Sequence, residues 1–303
     1  MAEAGDSPAI DRLLRGAVDL HYHSGPSPFP RRMDVAEAAQ HFEAAGFRAI
    51  VAKSHHHSTV MDVLAVQRLA LAGLRLQVFG SVALNGPVGG LNPRAVDLCL
   101  AMGGKMVWFP TMSSGRHLDY HHAHTTSIFP TATVKLMAEE PISIFGSGGD
   151  LRPEVHTILQ QIKDAGAVLA TGHMAPNEVE ALVRTARQAG LSRIVLTHPE
   201  FIVEMADQQV LEMAELGAMV EHCIVMYGQN AHSAWPVETL VERIRLVGPE
   251  RTILVSDLGQ AASPPAVDWY RQTCAALLDR GIPEGWIRQM IADNPARLLG
   301  LDD

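Results

Sequence analysis

Along the chain, short runs of apolar and β-branched residues alternate with longer stretches in which Ala and Leu share a helical period with Glu, Arg and Gln. Such alternation marks βα units laid into a parallel sheet. Eight strands are expected, over 17–23, 49–53, 76–84, 105–111, 168–173, 193–198, 219–224 and 252–257. Helical periods cover 35–45, 60–72, 94–102, 153–165, 177–189, 208–216, 237–247 and 266–278. Gly46, Gly166, Gly190 and Gly217 stand where a helix gives way to a strand, the place of a left-handed terminal residue. The pattern predicts an α/β fold, a (β/α)8 TIM barrel that takes up 1–303 as a single domain.

The rhythm breaks once, over 112–150, where His117, His121, His122 and His124 precede two short extended pieces at 133–136 and 142–145 and a Gly-rich run ending in Asp150. An insertion after the fourth strand falls on the C-terminal rim of a barrel, where active-site loops lie. A last helical segment, 284–299, is expected to close over one side.

Composition narrows the class. Against 24 basic residues stand 33 acidic ones, and the net charge of -9 offers no footprint for a nucleic-acid backbone or an anionic membrane. No run of about 18 apolar residues is free of charge or Gly/Pro punctuation, so no bilayer span is expected. Residues 1–6 lack the basic start and apolar core of a secretory signal. Cys99, Cys223 and Cys274 are odd in number and far apart, which speaks against a disulfide framework. The expectation is a cytoplasmic protein with a small-molecule substrate, no nucleic-acid or membrane partner, and a homodimer as the default assembly.

The first strand ends His21-Tyr22-His23. Alternate side chains of a strand share a face, so both histidines can address one ion while Tyr22 turns away. His173, His198 and Asp257 each end a later strand, and in a barrel those ends converge. One strand-end histidine is usually a polar rim residue; the joint placement of His21, His23, His173, His198 and Asp257 points to a divalent metal, since imidazole and carboxylate suit zinc, iron and manganese.

Glu221-His222-Cys223 lies on the seventh strand. A carboxylate inside an apolar strand needs a partner, because desolvating its charge costs several kcal/mol. Glu221 is therefore a candidate metal ligand, an orienting group behind a ligand, a substrate contact, or one half of an ion pair. His222 is a candidate acid or base. A Cys223–His222 nucleophile pair is set aside, since strand neighbours face opposite sides. Around the rim, Phe29, Met33, Trp108, Phe109 and Met112 with Arg31, Arg32 and Arg116 suggest an apolar substrate carrying an anionic group. Arg31, Trp108, His117 and Gln260 are its candidate contacts.

Taken together these residues resemble the amidohydrolase superfamily over almost the whole chain. Barrels of that family use a His-x-His pair on strand 1, histidines on strands 5 and 6 and an aspartate on strand 8. Asn294-Pro295-Ala296-Arg297-Leu298-Leu299-Gly300 looks like its closing helix. Pro30-Arg31-Arg32, Lys53-Ser54-His55, the stretch from Asn85 to Pro93, and Ser256-Asp257-Leu258-Gly259-Gln260 look like a branch near the dinuclear iron thioesterase of diterpenoid antibiotic biosynthesis. The resemblance implies one or two divalent ions and hydrolysis of a thioester, ester, lactone or amide by metal-activated water, with Asp257 moving the proton.

The chain departs from that pattern at strand 4. Dinuclear members carry a carboxylated lysine or a glutamate there, whereas this strand ends Trp108-Phe109-Pro110-Thr111 and Lys105 stands at the wrong end. Lys53, carboxylated, or His55 is the substitute ligand in one reading. In the other, Lys53 is a substrate-facing cation and His55-His56-His57 a solvated loop. A metal-dependent decarboxylase, or a metal-binding barrel without catalysis, are the competing functions.

Overall fold

The computed structural model describes residues 8–124, 131–229 and 233–301; the acidic opening and 125–130 of the insertion lie outside them. Helix α1 (Pro8–Leu14) leads into β1 (Val18–Tyr22), α2 (Val35–Ala44), β2 (Ala49–Ala52), α3 (Val60–Gln67) and β3 (Gln77–Phe79). Next come β4 (Ser81–Ala83), α4 (Pro93–Ala101), β5 (Met106–Trp108), α5 (Gly115–Ala123) and α6 (Pro153–Asp164). Then follow β6 (Val168–Ala170), α7 (Pro176–Gln188), β7 (Ile194–Leu196), α8 (Asp207–Glu215) and β8 (Met219–Cys223). The chain ends with α9 (Val237–Val247), β9 (Thr252–Val255), α10 (Ala266–Asp279), α11 (Glu284–Arg288) and, after a π-helical turn, α12 (Asn294–Leu299).

This is the expected βα alternation, with three corrections. The third strand is two, parted at Gly80, a residue type that weakens a strand interior. The strands stop short of the ends expected, so His23, Lys53, His173, His198 and Asp257 stand just past them. The apolar signal overshoots because the chain stays buried there: His173 and His198 are 4% and 1% exposed. Third, the insertion opens with a helix. Ser114 accepts from the His117 N–H at 3.0 Å and so caps α5, whereas 142–145 makes isolated bridges and 133–136 no strand. The four helix-ending glycines do take left-handed φ, at 80°, 57°, 89° and 98°.

The described residues gather into two compact units. The first draws on Met1–Ala52, Asp62–Phe79 and His222–Asp303. In it β1, β2 and β3 run parallel, Val18 opposite Ala49 and Ala49 opposite Gln77. The segment after β9 lies along β1, the Asp257 N–H donating to the His21 carbonyl and the His23 N–H to that of Leu258, both at 2.8 Å. Tyr22 meets Phe42 edge-on at 5.1 Å, and the aromatic contacts continue through Phe47 to Tyr270. Packing Tyr22 on that side turns Asp19, His21 and His23 to the other.

The second unit draws on Lys53–Met61 and Gly80–Glu221. Here β4, β5, β6, β7 and β8 pair in sequence order, all parallel. Helices α6 and α7 bury Val155, Ile158, Leu159 and Ile162, and Val179, Leu182, Val183 and Ala186, at helical spacing. Burying each of the larger side chains is worth about 1.5–3 kcal/mol, which anchors the helices on either side of β6.

Candidate metal centre

In the first unit, His21 Nε2 and His23 Nε2 each lie 3.1 Å from Asp257 Oδ1. The two imidazoles come from one face of β1, and the carboxylate is brought to them by an unusual turn. Asp257 has a left-handed φ of 51°, which aspartate tolerates better than most residues. Two residues on, Gly259 has φ 128°, and a Cβ there would fall 1.9 Å from the His23 carbonyl oxygen. Only glycine lets the turn fold this closely over the end of β1.

Asp19 fastens the same junction from below. Its Oδ1 accepts the N–H groups of His21 and Ser256, both at 3.1 Å, tying β1 to the segment that carries Asp257. Burial raises the Asp19 carboxyl to about 6 against the lowering effect of those hydrogen bonds. Burial would raise Asp257 as well, but the charge of His21 and the hydrogen bonds from His21 and His23 hold it well below the usual carboxylate range. Cys223 Sγ lies 3.9 Å from His21 Nδ1, and His21, Cys223 and Asp257 each offer a ligand atom within 4.8 Å of the others. Arg31 Nη2 lies 3.4 Å from His23 Nδ1 and is lowered to about 10 by burial.

The second unit gathers the other predicted histidines. His173 Nε2 stands 3.2 Å from His198 Nε2, and His173 Nδ1 stands 2.9 Å from His117 Nδ1. Gly172 precedes His173 at φ 66°, where a Cβ would meet the Phe109 carbonyl oxygen at 2.3 Å. Gly172 N–H reaches Thr197 Oγ1 and Thr197 N–H reaches Thr171 Oγ1, at 3.2 and 3.0 Å, so the turns bearing His173 and His198 are stitched together. Ser114 caps α5 and also donates to the His173 carbonyl at 2.6 Å, which sets His117 against His173. Burial, then the charges around it, lowers His173 far below the usual imidazole range and His117 to about 2, so both are neutral.

Lys53 is 1% exposed, its Nζ 4.9 Å from the centre of the Trp108 ring. His55 Nδ1 meets Thr111 Oγ1 at 2.9 Å. Glu221 and His222 are buried on β8. Of the three rim arginines, Arg32 is spent on the carbonyls of Ser263 and Ala261, and Arg116 on the Ile202 carbonyl and Glu204. Arg31 is the one placed beside the histidines. Gln260 pairs with Arg31 as an isolated bridge and reaches the Asp257 carbonyl at 3.4 Å. Sequence reasoning missed Asp19, the place of Cys223, and Asn85, whose Nδ2 donates to the His55 carbonyl at 3.0 Å. The strand alternation held a signal for two of them, since 19, 21 and 23 share a face, as do 221 and 223.

Among the described residues, His21, Cys223 and Asp257 form a group that could hold a divalent cation. Ligands at about 2.1 Å from a tetrahedrally bound ion stand about 3.4 Å from one another. The spacings of 3.1 Å from His21 and His23 to Asp257 need open by only a few tenths of an ångström.

The chain superposes on an amidohydrolase from Pseudomonas aeruginosa with TM-score 0.64 and 13% identity, over 97% of this chain and 98% of that one. The probable dipeptidase PvdM from the same organism gives 0.61 and 13%, over 97% of each. The phosphotriesterase homology protein from Escherichia coli, with phosphate in its active site, gives 0.56 and 15%, over 94% and 98%. Likeness at such low identity shows the fold alone, the α/β (β/α)8 barrel that these structures share. No curated protein matches the chain. Residues 16–221 match the profile of the family of unknown function DUF6282, and the chain belongs to that family.

Proposed function

We propose that the protein is a metal-dependent hydrolase acting on a carbonyl-type substrate, an acyl thioester first, then an ester, lactone or amide. The observation that carries this reading is the convergence of His21 Nε2, His23 Nε2 and Asp257 Oδ1 within 3.1 Å at a turn that glycine alone permits. In this reading His21, His23 and Asp257 hold one divalent ion, zinc, iron or manganese, and His173 and His198 hold a second. The cation supplies Lewis acidity and a water acidified toward neutral pH. Asp257 takes the proton of the attacking water and returns it to the leaving group.

Arg31 binds the anionic group of the substrate, releasing its long 3.4 Å contact with His23 to do so. The Trp108 face beneath Lys53 favours an ammonium there, so Lys53 serves as a cation toward substrate oxygen rather than as a carbamate. Glu221 and His222 keep their roles as candidates behind the ligands. That Cys99, Cys223 and Cys274 are all buried free thiols supports a reducing, cytoplasmic setting. A homodimer completes the proposal, checked by native mass.

The test is turnover of a panel of acyl thioesters, esters, lactones and amides by protein reconstituted with each metal in turn, with carbon dioxide monitored alongside. Hydrolysis that needs the metal, falling at least about a hundredfold in Asp257→Asn assayed at saturating metal, is expected. Metal-independent turnover, or carbon dioxide as the product, would falsify it.

A further inference from the structure

The buried network around His55 fixes which of its ring nitrogens carries the proton. Asn85 sets the direction. Its Oδ1 receives the backbone N–H groups of Thr111 and Ser113, at 2.8 and 3.2 Å, while its Nδ2 reaches the His55 carbonyl at 3.0 Å. Backbone N–H only donates and a carbonyl only accepts, so the amide can stand in one orientation alone. The second hydrogen of Nδ2 then goes to Thr111 Oγ1, at 2.7 Å.

Thr111 is fully buried, and among the described residues the acceptor its hydroxyl can reach is His55 Nδ1, at 2.9 Å. Were His55 Nδ1 protonated, that hydroxyl would be a stranded donor. Thr111 therefore donates to Nδ1, and the proton of the neutral imidazole sits on Nε2. His198 has the opposite polarity. Its Nδ1 faces the Phe201 carbonyl at 3.1 Å, so Nδ1 is the protonated atom and Nε2 keeps the lone pair that a cation needs.

We propose that His55 stands outside the metal shell and is a fixed Nε2–H donor for an acceptor oxygen of the substrate, a carbonyl or carboxylate oxygen, with Thr111 and Asn85 as its positioning residues. The ring of His55 stands at 67° to that of His173, their centres 6.2 Å apart, so the two rings are neighbours in the second unit. In the hydrolase reading such a donor would act on the oxygen where charge grows as a carbonyl is attacked. The role in turnover rests on the hydrolase reading; the proton's position does not.

The test uses full-length, ¹⁵N-labelled protein with and without zinc, in which two-bond N–H correlation spectra report the tautomer of each histidine. His55, assigned by the signals lost in His55→Gln, is expected to keep a protonated Nε2 in both states, and Thr111→Val to lose that bias. Both His55→Gln and His55→Leu should retain the zinc equivalents of the parent. On a hydrolysed substrate His55→Leu should lose about a hundredfold or more in kcat/KM, and His55→Gln, which keeps an N–H donor, far less.

A zinc-induced switch of Nε2 to a lone pair, one zinc equivalent lost in His55→Leu, or unchanged kcat/KM in that variant would each overturn the assignment. If no substrate is hydrolysed at all, the hydrolase reading fails and acetate becomes the probe. A shift of the His55 Nε2–H signal on acetate titration then supports the donor, and no shift overturns it.

Discussion

The two units hold imidazoles in contrasting electrical settings. In the first, His21 and His23 share an ionised carboxylate, Asp257, whose charge they stabilise. In the second, His173 touches two other imidazoles and feels the charge of Lys53. A dication entering the first set gains the Asp257 carboxylate once it displaces the protons of His21 and His23, whereas the second offers imidazole nitrogen beside Lys53 and no carboxylate. Coulomb attraction favours the first by an amount that grows as water is excluded. On the proposed reading, the tight equivalent of metal belongs to His21, His23 and Asp257, and a weaker one to His173 and His198.

The largest effects should come from breaking the turns that build each set. Gly259→Ala and Gly172→Ala drive a Cβ to within 1.9 and 2.3 Å of a backbone oxygen and disfavour the φ each turn needs. Each should cost more than about 3 kcal/mol in denaturant unfolding, or prevent folding. If either unfolds like the parent, the close approach at that turn does not exist. Next come the ligands themselves. His21→Ala should remove the tight equivalent in a metal titration, and His198→Ala the weak one while sparing the tight. A common loss in both variants would erase the distinction between the sets.

A smaller change should follow from His117, which faces the His173 Nδ1 that must carry a proton once Nε2 binds a cation. His117→Leu should weaken the second equivalent about 10–100-fold, and His117→Gln, which keeps an acceptor, by less. Restored affinity in the glutamine variant separates an orienting role from simple packing.

The smallest effect is one of pH, and it runs in opposite directions in the two units. Asp19 is raised to about 6, so its contribution to stability is full below about 4 and is lost as pH rises toward 6. His173 and His117 are lowered, so theirs is present above about 6.5 and is lost as pH falls. In chelator-treated protein, Asp19→Asn should therefore gain on the order of 1–2 kcal/mol at pH 7.5 relative to its effect at pH 5. The gain stays below the full linkage because the new amide must itself find an acceptor. An equal effect at both pH values would mean Asp19 is not raised.

The βα rhythm was legible because parallel strands buried on both faces read as continuous apolar runs, and helices such as α6 and α7 keep a clean stripe. The His21–His23 pair was legible for a local reason, the two-residue repeat of a strand. Helix α5 was not, because its histidines favour helix only weakly and one hydroxyl, Ser114, starts it. Nor was the His55 network, whose members lie 26 to 56 residues apart and meet only in the fold. Arg32 and Arg116 looked like anion readers because sequence shows a charge and hides the carbonyls that consume it.

The most direct test compares metal content and metal-dependent turnover in the parent and in a His21→Ala/His23→Ala double variant, with circular dichroism to confirm that both fold. The parent should hold at least one tight equivalent and hydrolyse a carbonyl-type substrate only with it, and the double variant should lose both. A folded double variant that binds metal as tightly and turns over as fast as the parent would contradict the account.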